Sequence, residues 1–219
     1  MKLDTLFSPM KIGSCEIPNR LVVPAMVTNY CNLEGTITER YLRYMEEKAR
    51  GGWGLLITED YCVQENRKGY TRIPGLWNDG QIEGNKDLTA AVHAHGSKIF
   101  CQMYHPGRQV MPQSTFGLDL VAPSATTCPA CQGPARDMTI DEIATLRAKE
   151  AGFDGIELHC AHGYLLAEFL SPAINRRVDQ YGGCFANRVR IVDEIIVSMR
   201  ERVGQDFPII VRVSSDDLV

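Results

Sequence analysis

His159-Cys160-Ala161-His162-Gly163-Tyr164 brings two imidazoles and a phenol together just after the apolar run Gly155-Ile156-Glu157-Leu158. An imidazole N–H can donate to an oxygen that gains negative charge, and a phenol can hand over a proton. Together they are the parts needed to polarise a carbonyl and protonate a neighbouring carbon. Two other readings of the same residues stand beside this one. Histidines at a strand end can be structural, and a pair three apart can be half of a metal site. No histidine lies beyond His162 and no His-Glu-x-x-His pattern occurs, so no metal ligand set is expected.

Other residues able to do chemistry fall at the ends of apolar runs: Pro24-Ala25-Met26, Glu59-Asp60, Gln102, His105, Arg108 and Arg212. Gln102 offers both a donor and an acceptor. Arg212 is a fixed cation inside an apolar run. It calls for an anionic or electron-rich partner, either a ligand or a core carboxylate. Cys128-Pro129-Ala130-Cys131 is the only Cys-x-x-Cys, and no second pair completes a zinc site. It lies in a proline-rich stretch and reads as a plain loop. The eight cysteines are scattered through a chain long enough to bury a core, and they read as reduced thiols.

These residues must be positioned by the elements around them. The pattern predicts strands at 21–26, 54–57, 98–103, 153–158 and 208–213. Helices are predicted at 38–50, 80–95, 139–152 and 187–203. Thr38 reads as a cap, Thr139 with Glu142 as a capping box, and Gly51, Gly96, Gly152 and Gly204 as stops. A long loop is expected from His105 to Asp137. Short apolar strands alternating with helices give an α/β fold with a parallel sheet. Lys48 to Ile57 weakly echoes Lys149 to Leu158, and the echo sets Thr58 opposite His159 at strand ends on one face. Such repetition suits a (β/α)8 TIM-barrel type, here with about five of eight strands. Neither a Gly-x-Gly-x-x-Gly after a strand nor a Walker A motif is present.

The chain has 219 residues, 44% hydrophobic and 23% charged, with a net charge of -4. That is an ordinary globular composition, and it argues against a general nucleic-acid binder. No apolar run reaches membrane-span length and the start lacks a signal-peptide core, so a cytoplasmic protein is expected. A homo-oligomer is left open.

Longer motifs carry a resemblance. Phe7-Ser8-Pro9-Met10-Lys11-Ile12-Gly13 with Pro18-Asn19-Arg20 resembles the opening of old yellow enzymes. Gln102-Met103-Tyr104-His105-Pro106-Gly107-Arg108 is similar to their third-strand motif. The closest match is His159-x-x-His162-Gly163-Tyr164-Leu165, continuing through Phe169-Leu170-Ser171-Pro172, Asn175, Arg177, Asp179, Tyr181-Gly182-Gly183 and Asn187-Arg188. The resemblance covers nearly all of the chain. It is nearest to the NADH:flavin oxidoreductase and 2,4-dienoyl-CoA reductase branch.

The resemblance implies an FMN-binding TIM-barrel domain over residues 1–219, reduced by NADH or NADPH. The reaction would be hydride transfer to the activated C=C bond of an α,β-unsaturated carbonyl or enoyl-CoA. Pro24, Ala25 and Met26 would line the flavin. Gln102 would bond its pyrimidine edge, and Arg212 would sit near N1 and the C2 carbonyl. His159 and His162 would hold the substrate oxygen, and Tyr164 would protonate the α-carbon.

Three departures stand out. Val27 replaces the Thr or Cys of many relatives, Asp60 stands where relatives often have a small residue, and the helix at 139–152 is short. The chain stops just past its fifth strand. It therefore reads as an amino-terminal portion, active alone or dependent on a further segment or partner. A 4Fe-4S cluster and FAD would belong to carboxy-terminal domains of longer relatives.

Overall fold

The computed structural model describes residues 3–65, 67–110, 114, 119–128, 134–137 and 153–216. A hairpin opens the chain, β1 (Met10–Ile12) with β2 (Cys15–Ile17), turned at Gly13 with φ 56°. Then come β3 (Val22–Val23), α1 (Glu39–Arg50), β4 (Leu55–Cys62), a single 3-10 turn at Asp79–Gln81, α2 (Ile82–His93) and β5 (Lys98–Tyr104). Three short strands follow: β6 (Leu120–Ala122), β7 (Thr126–Thr127) and β8 (Pro134–Asp137). The described part ends with β9 (Gly155–Cys160), α3 (Leu165–Leu170), α4 (Phe185–Val203) and β10 (Ile209–Val213).

The main sheet runs β3-β4-β5-β9-β10, with every neighbouring pair parallel. Its spatial order is therefore its chain order. A doubly wound sheet would reverse at a switch point and carry helices on both faces. Here α1, α2 and α4 all cover one face, through Tyr41, Met45, Leu88, Val92, Ile191 and Ile195 against Leu56, Ile99, Cys101, Ile156 and Leu158. A single winding with helices on one side is barrel architecture, present here as a five-stranded part.

Strand alternation sends the intervening residues to the other face. Leu55, Ile57 and Phe100 form an apolar layer there, closed from below by Cys15 and Ile17 of the hairpin, with Ala25 beside them. The next inner-face positions are polar: Asp60, Gln102 and Glu157, which pair in one row across β4, β5 and β9. A bulge sets the row. Ile57 pairs with Phe100 and Asp60 with Gln102, so three steps on β4 match two on β5. Without the extra residue, Glu59 would face Gln102 instead.

The structure lengthens and shortens several expected elements. The first strand shrinks to Val22–Val23 because Pro24 has no N–H for the ladder. The second extends through Cys62, carrying Thr58, Glu59 and Asp60 inside the strand; polar strand residues hid it. Thr58 is thus mid-strand and fully buried, not at a strand end. The fourth strand runs to Cys160, so His159 belongs to the ladder itself. The expected loop at 105–137 contains a separate sheet, β6-β8-β7, in which β7 pairs antiparallel with β8 and β6 parallel. Thr38 caps α1 as expected, its side chain accepting from the Tyr41 N–H at 3.3 Å. The helix expected at 139–152 and Cys131 lie outside the described residues.

Gly155 starts β9 where its backbone meets the Phe100 ring; a Cβ there would come within 2.6 Å of ring carbons. Overpacking a strand pair buried on both faces typically costs ~1–3 kcal/mol. Gly155→Ala should destabilise the fold by about that much in a urea melt. An unchanged midpoint would mean that the strands separate there without cost.

Candidate functional site

β9 delivers His159 to the inner face, two residues above Glu157. His159 is buried, and its Nδ1 accepts the Ala161 N–H at 3.3 Å. The ring proton of the neutral form is therefore on Nε2, 4.0 Å from Asp60 Oδ1. Burial pushes the His159 pKa down to about 3, with His162 and Arg212 adding to the shift. A neutral imidazole with its one N–H on Nε2 is a hydrogen-bond donor that keeps its proton.

The chain then turns sharply. His162 has φ 58° and Gly163 φ 73°, two left-handed residues in succession. For His162 that is a strained backbone, of the kind that collects at functional sites. The turn throws the His162 side chain outward, its ring 5.0 Å from that of His159 and at 90° to it. It also sets Tyr164 as the residue before α3, its ring 5.0 Å from His159. The expected trio therefore converges. Tyr164 is buried, and its hydroxyl lies 3.2 Å from that of Tyr70. Tyr104 packs edge-on against it at 4.8 Å. The Tyr104 hydroxyl is buried without a hydrogen-bond partner among the described residues. Val27 packs on this cluster, beside Cys62 and Ile73.

Below the trio lies the polar row. Gln102 is fully buried; its Nε2 donates to Glu157 Oε1 at 2.7 Å and its N–H to Thr58 Oγ1 at 3.1 Å. That leaves Gln102 Oε1 as a buried acceptor without a partner among the described residues. Burial raises the Glu157 pKa, opposed by the Gln102 bond and by Arg212. Arg212 pairs with His159 in the ladder, so it occupies the same face one step above the row. Among the described residues Arg212 forms no ion pair, but its charge lowers the pKa of both Asp60 and Glu157.

Of the segment after β3, Ala25 is buried on the apolar layer, while Pro24 and Met26 are exposed. Glu59 holds this segment down: Thr28 donates its N–H to Oε2 at 2.9 Å and its hydroxyl to Oε1 at 2.5 Å. His105 and Arg108 belong to the framework. His105 bridges Gly107 N–H and Gln64 Oε1 at 3.0 and 3.1 Å, and Arg108 lies against Glu168, Thr126 and Thr127. Glu168 is fully buried in α3 and pins the 105–108 turn through the Arg108 N–H at 3.1 Å.

The NADH:flavin oxidoreductase / NADH oxidase family model matches residues 5–219. The chain belongs to that family. It is 45% identical to an NADH oxidase of Thermoanaerobacter brockii, over 98% of this chain and 34% of that protein. A 2-naphthoyl-CoA reductase structure with 2-naphthoyl-CoA superposes at a TM-score of 0.93 with 31% identity, over 100% of this chain and 36% of its own. The old yellow enzyme homologue of Zymomonas mobilis gives 0.86 and 30%, over 95% and 63%. The chain thus spans from about a third to under two thirds of the length of these members of the family.

Family membership raises the question of whether the residues present fit FMN. One observation fits: Gln102 Oε1 is a buried acceptor without a partner among the described residues, and a flavin N3–H is a donor that would suit it. Sequence reasoning missed Glu157, which orients that amide, and Tyr70 and Tyr104, which surround Tyr164. Glu157 was hidden in an apolar run as one of its inward residues. Tyr70 carried no motif signal, and Tyr104 lay inside the third-strand motif without a role assigned to it.

His105 and His159 are both depressed to about 3 by burial. Their ring resonances should therefore hold the neutral-imidazole position from pH 8 down to pH 5 in an NMR titration. A midpoint near 6.5 for His159 would mean a solvated ring, unlike the buried one described.

Proposed function

We propose that this chain forms the flavin-facing and substrate-orienting part of an FMN-dependent NAD(P)H oxidoreductase that reduces an activated C=C bond. The observation that carries the reading is the convergence of His159, His162 and Tyr164 above an amide whose free acceptor suits a flavin edge. FMN, when bound, supplies the hydride it takes from NADH or NADPH. Gln102 and Arg212 would hold its pyrimidine end, and Pro24, Ala25 and Met26 would line it. Residues 1–219 are accordingly read as an FMN-binding barrel domain. Any 4Fe-4S cluster or FAD would be carried by other segments.

The substrate class follows from the donors. The Nε2–H of His159 and the ring of His162 would hold a carbonyl oxygen, where charge grows as the β-carbon accepts hydride. Tyr164 would then give its proton to the α-carbon, and Tyr70 lies within hydrogen-bond reach of its hydroxyl. An α,β-unsaturated carbonyl or enoyl thioester has that oxygen and that pair of carbons.

Two measurements test this. Tyr164→Phe in the FMN-loaded protein should leave reduction by NAD(P)H intact and slow reoxidation by an enone ~10²–10⁴-fold, the usual worth of general-acid help. Stopped-flow traces of the two half-reactions separate the effects, and equal slowing would assign Tyr164 a structural role. Replacing His159 and His162 with Ala should weaken binding of a para-substituted phenol more than binding of FMN. An unchanged charge-transfer band would remove the histidines from the oxygen site.

A further inference from the structure

The pyrimidine edge of a flavin presents, in order, a carbonyl at C2, an N–H at N3 and a carbonyl at C4. A protein surface that reads this edge must offer donor, acceptor, donor. Across the inner face the structure has Arg212 on β10, Gln102 on β5 and Asp60 on β4. Arg212 can only donate. Gln102 shows its acceptor, because its amide nitrogen is held by Glu157. The third place belongs to Asp60. A carboxylate there would only accept, whereas a carboxylic acid has an O–H to give. We propose that Asp60 binds the flavin C4 carbonyl as a protonated carboxylic acid, completing the row formed with Arg212 and Gln102. This rests on the flavin reading above and goes beyond it, since it assigns a role to a side chain where relatives often carry a small residue.

Three independent features support the assignment. The bulge in β4 brings Asp60, and not Glu59, to the inner face opposite Gln102. Asp60 is 4% exposed, and His159 Nε2 lies 4.0 Å from its Oδ1, beyond hydrogen-bond distance. A buried carboxyl without a hydrogen bond costs stability unless it stays neutral or meets a ligand. Its surroundings also favour the proton. The titratable and charged groups around it are Glu59 and Cys62 on β4, Tyr104 on β5, Glu157 and His159 on β9, and Arg212 on β10. Burial first, then Glu59 and Glu157, raise its pKa to about 7 against the pull of Arg212.

The sign follows. Below about pH 7 the acid is protonated and can donate to the C4 carbonyl. Above it the ionised oxygens would face the carbonyl lone pairs, and the Nε2–H of His159, 4.0 Å away, would compete for them. A ligand that binds the protonated form loses up to ~tenfold in affinity per pH unit above the free-site pKa.

The test is FMN titration of the apo chain by quenching of flavin fluorescence at pH 6, 7, 8 and 9. Wild-type affinity should hold to near pH 7 and then fall, approaching tenfold per unit. Asp60→Asn keeps an N–H donor at every pH, so it should match wild type at pH 6 and hold that affinity at pH 9. Asp60→Ala should bind about tenfold more weakly at pH 6, with no fall above pH 7. Far-UV circular dichroism checks that both variants are folded, and comparison with Asp60→Asn cancels the titration of the flavin phosphate. A flat wild-type profile, or the same fall in Asp60→Asn, overturns the Asp60 assignment and leaves the flavin reading standing. No FMN binding by wild type at any pH overturns both.

Discussion

The hydrogen bond from Gln102 Nε2 to Glu157 Oε1, at 2.7 Å and wholly buried, is the contact on which the site depends. It joins the two central strands through their inner faces. It also settles which end of the Gln102 amide is left over. With the nitrogen occupied, only the oxygen remains to meet a ligand. Glu157 in turn is buried, and burial alone would drive it to take up a proton. The amide and Arg212 both oppose that drive, so the three residues hold one another in their working states. Removing Glu157 would free the amide to flip, and a flipped amide would present a donor where the proposed flavin reading needs an acceptor.

The mouth is kept in shape by carboxylates that do no chemistry. Glu59 ties the segment after β3 to the middle of β4 through Thr28, and Glu168 ties the turn after β5 to α3. In each case the carboxylate accepts a backbone N–H that the ladder or helix leaves unpaired. Both are buried at residues next to a site position. Glu59 precedes Asp60 in the chain, and Glu168 follows Tyr164 by one helical turn. Burial raises the pKa of both carboxyls, that of Glu168 well above the ordinary value, opposed by the bonds from Thr28 and from Arg108.

Much of this was legible in the sequence. The alternation of apolar runs and helices gave the parallel sheet, and the spacing His159-x-x-His162-Gly163-Tyr164 held the trio, because a strand end followed by a left-handed turn leaves little freedom. Gln102 and Arg212 were legible as polar residues inside apolar strands. What was hidden came from cross-strand register. The β4 bulge decides whether Glu59 or Asp60 faces the interior, and no local pattern encodes it. Tyr70 reaches Tyr164 across 94 positions of chain, and Tyr104 reaches it through packing alone. The same alternation sets the facing of the sheet edge. Arg212 faces inward, and Val211 and Val213 on either side of it do not. They lie on the helix side in register with Leu158 and Cys160, and they are exposed there at 40% and 59%.

The unpaired groups of the mouth share one physical consequence. Gln102 Oε1 and the Tyr104 hydroxyl are buried without hydrogen-bond partners among the described residues. Each such group destabilises a folded domain by ~1–3 kcal/mol relative to a satisfied one. Folding bears this cost once, through the packing of the apolar layer below and the helices outside. A ligand that satisfies these groups makes hydrogen bonds that the protein itself leaves unmade, so the site favours a pattern of donors and acceptors over apolar area. A ligand of the right shape with the wrong pattern would leave the same groups unpaired and gain little over the empty pocket.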